Sequence, residues 1–255
     1  MFVLLSNDDG IDAAGLTALA GAFSPADQVA IVAPDRERSA SGHAITMDRP
    51  LRVREVKHFA GPAWAVTGTP GDCVKLALTT LLPRKPDLVV AGINRGPNLG
   101  TDVFYSGTVA AALEGLLFGL PALAVSLATH APDADYSLAA RLARAIVQRL
   151  LAKPALAETL LNVNVPARPA REIRGLSITR LGTRRYKNTF EARQDPRGQT
   201  YYWLAGEPLP QECPPDTDIA AVAAGRISIT PLSLDLTDYR RLADLKGWTD
   251  KPFDI

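Results

Sequence analysis

Two adjacent carboxylates, Asp8 and Asp9, follow an apolar run at residues 2–5 and precede Gly10. The apolar run is typical of a buried strand, and the turn-forming residues after it mark the end of that strand. Neighbouring carboxylates at a strand end repel each other and lose hydration, so a bound cation would stabilise them. A solvated turn is the alternative interpretation of this stretch taken alone.

A second polar segment, residues 34–46, follows the apolar run at residues 29–33. Its serine hydroxyls, that of Ser39 among them, are candidate cation ligands, and its arginine side chains suit an anion. A surface loop without chemistry is the alternative.

A third segment, residues 93–109, is rich in Gly and Asn and follows the buried strand predicted at residues 87–92. Asn94 offers a neutral amide oxygen to a hard cation. The end of the segment is predicted to open a helix, whose free N–H groups and dipole form a phosphate site. The candidate phosphate-binding residues are Asn98, Ser106, Gly107 and Thr108. The segment lacks the lysine of a Walker A loop, so an ordinary capped helix is the alternative.

Apolar runs and helical periodicity alternate along residues 1–166, which is typical of βαβ units with right-handed crossovers. The pattern predicts an α/β fold with a Rossmann-like, doubly wound and mostly parallel sheet. Loops after the strands of such a sheet converge on one edge. We therefore expect four oxygen donors to lie together there, and an all-oxygen site favours Mg²⁺ or Mn²⁺. These donors are Asp8, Asp9, Ser39 and Asn94.

The sequence changes in character after residue 166. Residues 173–179 and 199–204 are predicted to be strands of a long hairpin arm, with a charged segment between them. Residues 236–246 are predicted to form a terminal helix. Exposed ribbons often make contacts between subunits.

The length of 255 residues fits a single domain spanning residues 1–255. Within it we expect an α/β core at residues 1–166, and a hairpin arm with a C-terminal oligomerisation segment at residues 167–255.

Two positions near the start of the helix predicted at residues 70–82 are expected to be structural. Thr69 suits the N-cap, and Asp72 favours the helix N-terminus. Cys73 is expected to face the core.

Composition excludes several classes of protein. The 28 Lys and Arg residues nearly balance 27 acids, so no nucleic-acid polymer is expected as a partner. No apolar stretch is long enough to span a membrane. The two cysteines are far apart and match no zinc spacing, which favours a cytoplasmic location. The histidines show no ligand spacing and are expected to be solvated or in loops. They are His43, His58 and His130.

Five motifs, taken in this order, resemble the SurE family, which comprises stationary-phase survival proteins acting as 5′/3′-nucleotidases. The motifs lie at residues 4–10, 33–39, 68–74, 92–100 and 105–109. The resemblance covers essentially the whole chain. It departs from the family at Gly71, where Ala or Ser is common, and at Ala91, where Ser is common.

The resemblance implies a divalent-metal-dependent phosphomonoesterase that hydrolyses nucleoside 5′-monophosphates to nucleoside and phosphate through a metal-activated water. Nucleoside 3′-monophosphates and short polyphosphate are implied as further substrates. It implies one Mg²⁺ or Mn²⁺ per subunit on Asp8, Asp9, Ser39 and Asn94. It also implies a homodimer or homotetramer that exchanges C-terminal segments. Asp8 or Asp9 is expected to accept the proton of the attacking water.

Two other functions remain open from the sequence. A nucleotide-binding regulator would use the same phosphate site without turnover. A hydrolase with Ser106 or Ser39 as nucleophile would need a nearby base, and the chain has neither an evident base nor a Gly-x-Ser-x-Gly elbow.

Overall fold

The computed structural model describes residues 1–23, 25–209 and 213–250. Within these ranges the chain forms eleven strands and six α-helices. The strands are β1 (Phe2–Ser6), β2 (Gln28–Pro34), β3 (Val53–Glu55), β4 (Ala63–Val66), β5 (Leu88–Arg95), β6 (Ala122–Ala128), β7 (Leu160–Pro166), β8 (Leu176–Ile178), β9 (Tyr186–Gln194), β10 (Thr200–Pro208) and β11 (Ile227–Leu232). The helices are α1 (Ala14–Gly21), α2 (Pro70–Leu76), α3 (Gly107–Leu117), α4 (Ser137–Leu151), α5 (Asp218–Ala223) and α6 (Tyr239–Lys246).

Nine strands form one sheet in the order β3-β4-β2-β1-β5-β6-β7-β11-β8. The six strands from β4 to β7 are parallel, and their order counted along the chain is 3-2-1-4-5-6. This is the doubly wound order, in which the direction of winding reverses between β1 and β5. The predicted α/β fold, with its mostly parallel sheet, is therefore confirmed.

Helices cover both faces of the sheet, so its central strands are apolar on both sides. In β1, Leu5 belongs to a core cluster that includes Leu16 of α1 and Ala143 of α4. Its neighbour Leu4 belongs to the cluster on the other face, with Val109 of α3. Alternate residues of β1 thus pack in opposite directions, which explains the continuous apolar run that predicted this strand.

The hairpin arm is present, but one of its two strands is not the one predicted. Strand β10 pairs with β9 in an antiparallel ribbon separate from the main sheet. The predicted strand at residues 173–179 instead contributes β8, which pairs with β11 at the sheet edge. Strand β9 is mostly polar, and those of its side chains that the structure describes are exposed or half-buried, so it lacks the hydrophobic pattern that identifies a strand. Residues 210–212 and 251–255 of the predicted C-terminal segment lie outside the described ranges.

None of the helices in the described ranges is both long and apolar enough to cross a membrane.

The start of α2 has the structural role predicted for it. The Asp72 backbone N–H donates to the Thr69 hydroxyl at 3.1 Å, and the Thr69 N–H donates to the Asp72 carboxylate at 2.9 Å, which forms a capping box. The Thr46 hydroxyl also donates to Asp72 at 2.6 Å. Burial raises the pKa of Asp72, but the hydrogen bonds from Thr46 and Thr69 outweigh it and lower the pKa. Asp72 therefore joins α2 to the loop after β2.

We expect Asp72→Ala to lower the free energy of unfolding by about 1–3 kcal/mol, because it removes a cap and several buried hydrogen bonds. Denaturant titration measures this change. Asp135→Ala is the matched control, since Asp135 also accepts an N–H at a helix start, from Ser137, but is exposed. Equal effects of the two substitutions would contradict the role assigned to Asp72.

Candidate functional site

Asp8 lies just after β1, against the first turn of α3. Its side chain is only 5% exposed, and the Thr108 hydroxyl donates a hydrogen bond to its carboxylate. A Cβ atom at position 107 would lie 2.7 Å from the Asp8 Cβ, so only glycine allows the helix to approach this closely. The predicted phosphate-binding helix start is thus in direct contact with the first predicted cation ligand.

Asp9 contacts the strand beside β1. Its carboxylate accepts the backbone N–H of Arg95 at 3.1 Å, which brings the neighbouring Asn94 to the same sheet edge. The pairing of β5 with β6 shifts register between Ala91 and Asn94, and such bulges re-aim side chains. The Asn94 amide nitrogen donates to the carbonyl of Gly96 at 2.8 Å. Its amide oxygen is therefore the atom left to offer a cation.

The loop that carries Ser39 adjoins the same point. The backbone N–H of Arg38 donates to the Asp8 carbonyl at 2.7 Å. The Ser39 hydroxyl donates to the Glu37 carboxylate at 2.6 Å, and its oxygen retains lone pairs for a cation.

Helix α3 begins at Gly107, where the sequence predicted a helix to open, and Ser106 is its N-cap, because its hydroxyl accepts the N–H of Val109 at 3.0 Å. Helix α3 runs for eleven residues, so its dipole and first amides form an anion-attracting end. Ser106, Gly107 and Thr108 all belong to this end, and the last two contact Asp8.

Asn98 lies in a buried polar network whose other members the sequence analysis missed. Its backbone N–H donates to the Asn164 side chain at 2.8 Å, and its carbonyl accepts from Asn162 and Asn164. Its side-chain amide donates to the Ser126 hydroxyl at 2.8 Å. Asn162 and Asn164 are two residues apart in β7, so their side chains lie on the same face of the sheet. Two asparagines in an otherwise apolar strand were the sequence signal for this network, because buried polar side chains need hydrogen-bond partners.

Burial shapes the electrostatics of the carboxylate pair. The pKa of Asp8 is raised to about 6, mainly by burial. The hydrogen bond from Thr108 lowers this pKa, and the charge of Asp9 raises it. Burial also raises the pKa of Asp9, partly opposed by the N–H and charge of Arg95, while Glu37 adds to the increase. The pair therefore lacks enough positive charge from the protein, and a cation would supply it.

The donor chemistry fits a hard divalent cation. In the part of the chain that the structure describes, no group of three or more His, Cys, Asp or Glu side chains is placed to hold a metal. Two carboxylates, a hydroxyl and an amide oxygen remain, and Mg²⁺ is usually bound by one or two carboxylates with water completing its shell. The predicted set therefore suits such an ion.

The family model described as "Survival protein SurE" matches residues 3–188. The chain belongs to the SurE family. The resemblance drawn from the five motifs is therefore confirmed.

Relatives within the SurE family are similar over nearly their full length. A 5′-nucleotidase SurE from Moorella thermoacetica is 56% identical over 255 residues, covering 97% of this chain and 96% of its own. Another from Desulforudis audaxviator is 55% identical over 254 residues, covering 97% of each chain. The crystal structure of the SurE protein from Aquifex aeolicus superposes with a TM-score of 0.84 at 39% identity, covering 98% of this chain and 100% of that one.

The contact between Glu114 and His43 in this SurE chain was not predicted from the sequence. Glu114 of α3 is only 1% exposed and contacts His43 and Lys75. His43 was expected to be solvated or in a loop; it lies in a loop, yet it pairs with this buried carboxylate. Cys73 is fully buried as expected, and burial raises the pKa of its thiol.

The raised pKa of Asp8 has a consequence for the metal-free protein. The pKa of about 6 lies above the ordinary value of 3.8, so folding favours the neutral acid. The stability from this group is complete below about pH 4 and is lost as pH rises through about 6.

We therefore expect Asp8→Asn to raise the free energy of unfolding at pH 7.5 in EDTA by about 1–3 kcal/mol, because the amide carries no charge to bury. The difference from the native chain should shrink between pH 7.5 and pH 5. Denaturant titration at several pH values measures both. A variant less stable than the native chain at pH 7.5 in EDTA would contradict the electrostatic account.

Proposed function

We propose that this chain is a divalent-metal-dependent 5′-nucleotidase, which hydrolyses nucleoside 5′-monophosphates to nucleoside and phosphate. The observation that carries the proposal is the contact between Asp8 and the first turn of α3, made through Gly107 and Thr108. It brings the proposed cation ligand Asp8 against the helix end that we propose as the phosphate site. The names of the Moorella and Desulforudis relatives support the 5′-nucleotidase activity.

In this proposal Asp8, Asp9, Ser39 and Asn94 would hold one Mg²⁺ or Mn²⁺ per subunit. When bound, such an ion polarises a phosphoryl oxygen and lowers the pKa of a neighbouring water. The chain's own contribution is to fix four oxygen donors from three loops around one sheet edge.

The phosphate would rest on the amino end of α3. Its free amides and the Ser106 hydroxyl supply hydrogen-bond donors, and Gly107 lets the phosphate approach the backbone. The Thr108 hydroxyl donates to Asp8, so Thr108 would bind the phosphate through its backbone N–H. Asn98 would complete the group from the preceding loop, held in position by Asn164. Because these donors are fixed before the reaction, they stabilise charge that develops on the phosphoryl oxygens.

Asp9 is the carboxylate we assign as acceptor of the water's proton. It lines a cavity of about 250 Å³, whereas Asp8 is buried against Thr108. The walls of this cavity also include Arg95 and Tyr136. Nucleoside 3′-monophosphates and short polyphosphate are proposed as further substrates, since the same phosphate site would accept them.

We further propose a homodimer or homotetramer, with exchange of C-terminal segments, in the cytoplasm. The β9–β10 ribbon supports the assembly, because it exposes large apolar side chains that a second subunit would cover. These are Phe190, Tyr202, Trp203 and Leu204, each at least 60% exposed.

Phosphate release from a panel of nucleoside 5′- and 3′-monophosphates tests the proposal. We expect release with Mg²⁺ or Mn²⁺ and none with EDTA. Asp8→Asn should lower kcat/KM by about 10²–10⁴-fold, because the amide would bind the cation more weakly and would remove a negative charge from the site. Asp12→Asn is the matched control, since Asp12 follows the same turn but is exposed.

The same assay separates the alternatives. Release that survives EDTA would favour a serine nucleophile. Nucleotide binding without release, by folded and metal-loaded protein, would favour a regulator. Full metal-dependent activity of Asp8→Asn would overturn the assignment of Asp8.

A further inference from the structure

Glu114 is a buried carboxylate that the proposed reaction does not use. It lies in α3, and each of its two oxygens has one cationic or N–H partner. The Lys75 ammonium donates to Oε1 at 2.7 Å, and Nε2 of His43 lies 2.9 Å from Oε2. Burial raises the pKa of Glu114, but the hydrogen bonds from His43 and Lys75 outweigh it and lower the pKa. An ionised carboxylate only accepts hydrogen bonds, so His43 donates through an Nε2–H.

The two partners of Glu114 come from different parts of the fold. Lys75 belongs to α2, which is packed against α3 in the core. His43 belongs to the loop between β2 and β3, four residues after Ser39. The contact with His43 therefore joins a loop to α3, whereas the contact with Lys75 joins two helices. Loops are in general more mobile than helices.

Backbone hydrogen bonds anchor the loop on both sides of Ser39. Before it, the N–H of Arg38 donates to the Asp8 carbonyl; after it, the N–H of Gly42 donates to the Tyr105 carbonyl at 3.0 Å. Ala40 and Gly42 both have a left-handed backbone, with φ of 55° and 54°, so the chain turns sharply between these hydrogen bonds. For Ala40 this conformation is unfavourable and must be held by its surroundings. His43 directly follows Gly42, and its hydrogen bond to Glu114 adds a side-chain contact at the end of this stretch.

Helix α3 connects the contact with His43 to the proposed cation site. Thr108 at its start donates to Asp8, and Glu114, six residues later, accepts from His43. One rigid helix therefore positions Asp8 and the loop that carries Ser39. We propose that His43 is a positioning residue that holds Ser39 at the cation site through Glu114. This inference rests on the cation site proposed above.

The chain offers a matched pair of variants. His43→Ala and Lys75→Ala each remove one of the two donors to Glu114, but only His43 belongs to the loop. Both should lower stability. Only His43→Ala should weaken Mn²⁺ binding, by about tenfold or more, as expected when a group that orients a ligand is lost. Isothermal titration with Mn²⁺ alone measures this.

Hydrogen exchange gives a readout that needs neither metal nor turnover. In EDTA, amides of residues 38–43 should exchange about tenfold faster in His43→Ala than in Lys75→Ala, because only the first variant frees the loop. His43→Gln keeps an N–H donor and should restore slow exchange and Mn²⁺ affinity, which also covers the case in which the alanine variant fails to fold.

Equal effects of His43→Ala and Lys75→Ala on loop exchange would overturn the positioning role. So would unchanged Mn²⁺ affinity in His43→Ala when the native chain binds Mn²⁺. If the native chain binds no Mn²⁺ at all, the proposed cation site fails, and the exchange comparison still decides whether His43 holds the loop.

Discussion

The burial of the Asp8 carboxylate beside Asp9 is the constraint on which the rest of the site depends. A parallel strand covered on both faces delivers both acids to a crowded sheet edge, where they are partly removed from water. The surroundings supply some compensation, namely the Thr108 hydroxyl on Asp8 and the Arg95 N–H on Asp9. This compensation is incomplete, since burial still raises the pKa of both groups. The arrangement is therefore costly for the folded protein alone, and the proposed cation would offset this cost.

Close backbone packing around the pair makes this geometry possible. Gly107 lets α3 begin against Asp8. Gly10 has φ of +100°, and a Cβ atom there would lie 3.0 Å from the carbonyl carbon of Arg36, so the first turn and the second loop pack backbone to backbone. The three loops and the helix start thus meet at the point where the strand order reverses, which is where doubly wound folds bind ligands.

The parts of the fold that local signals encode were predictable. The apolar run of β1, the Thr69 cap of α2 and the Ser106 cap of α3 each depend on a few consecutive residues. The alternation of such elements then implied the parallel sheet, in which β1 and β5, the strands that lead to Asp8 and Asn94, are neighbours.

Features that depend on distant pairing were not predictable in the same way. Strand β9 pairs with β10 outside the main sheet, and its mostly polar sequence lacks the hydrophobic pattern that identifies a strand. The network around Asn98 joins residues 66 positions apart, and the pairing of His43 with Glu114 joins residues 71 positions apart. No local pattern specifies such partners. For Glu114, a charged residue within a helix of small apolar residues was the only signal available.

The claim that Asp8 and Asp9 form a cation site with Ser39 and Asn94 is tested most directly by anomalous diffraction from crystals of the native chain soaked in Mn²⁺. We expect one anomalous peak per chain, at coordination distance from both carboxylates and within reach of the Ser39 hydroxyl and the Asn94 amide oxygen. A peak held by other side chains, or none at this sheet edge under saturating Mn²⁺, would contradict the account.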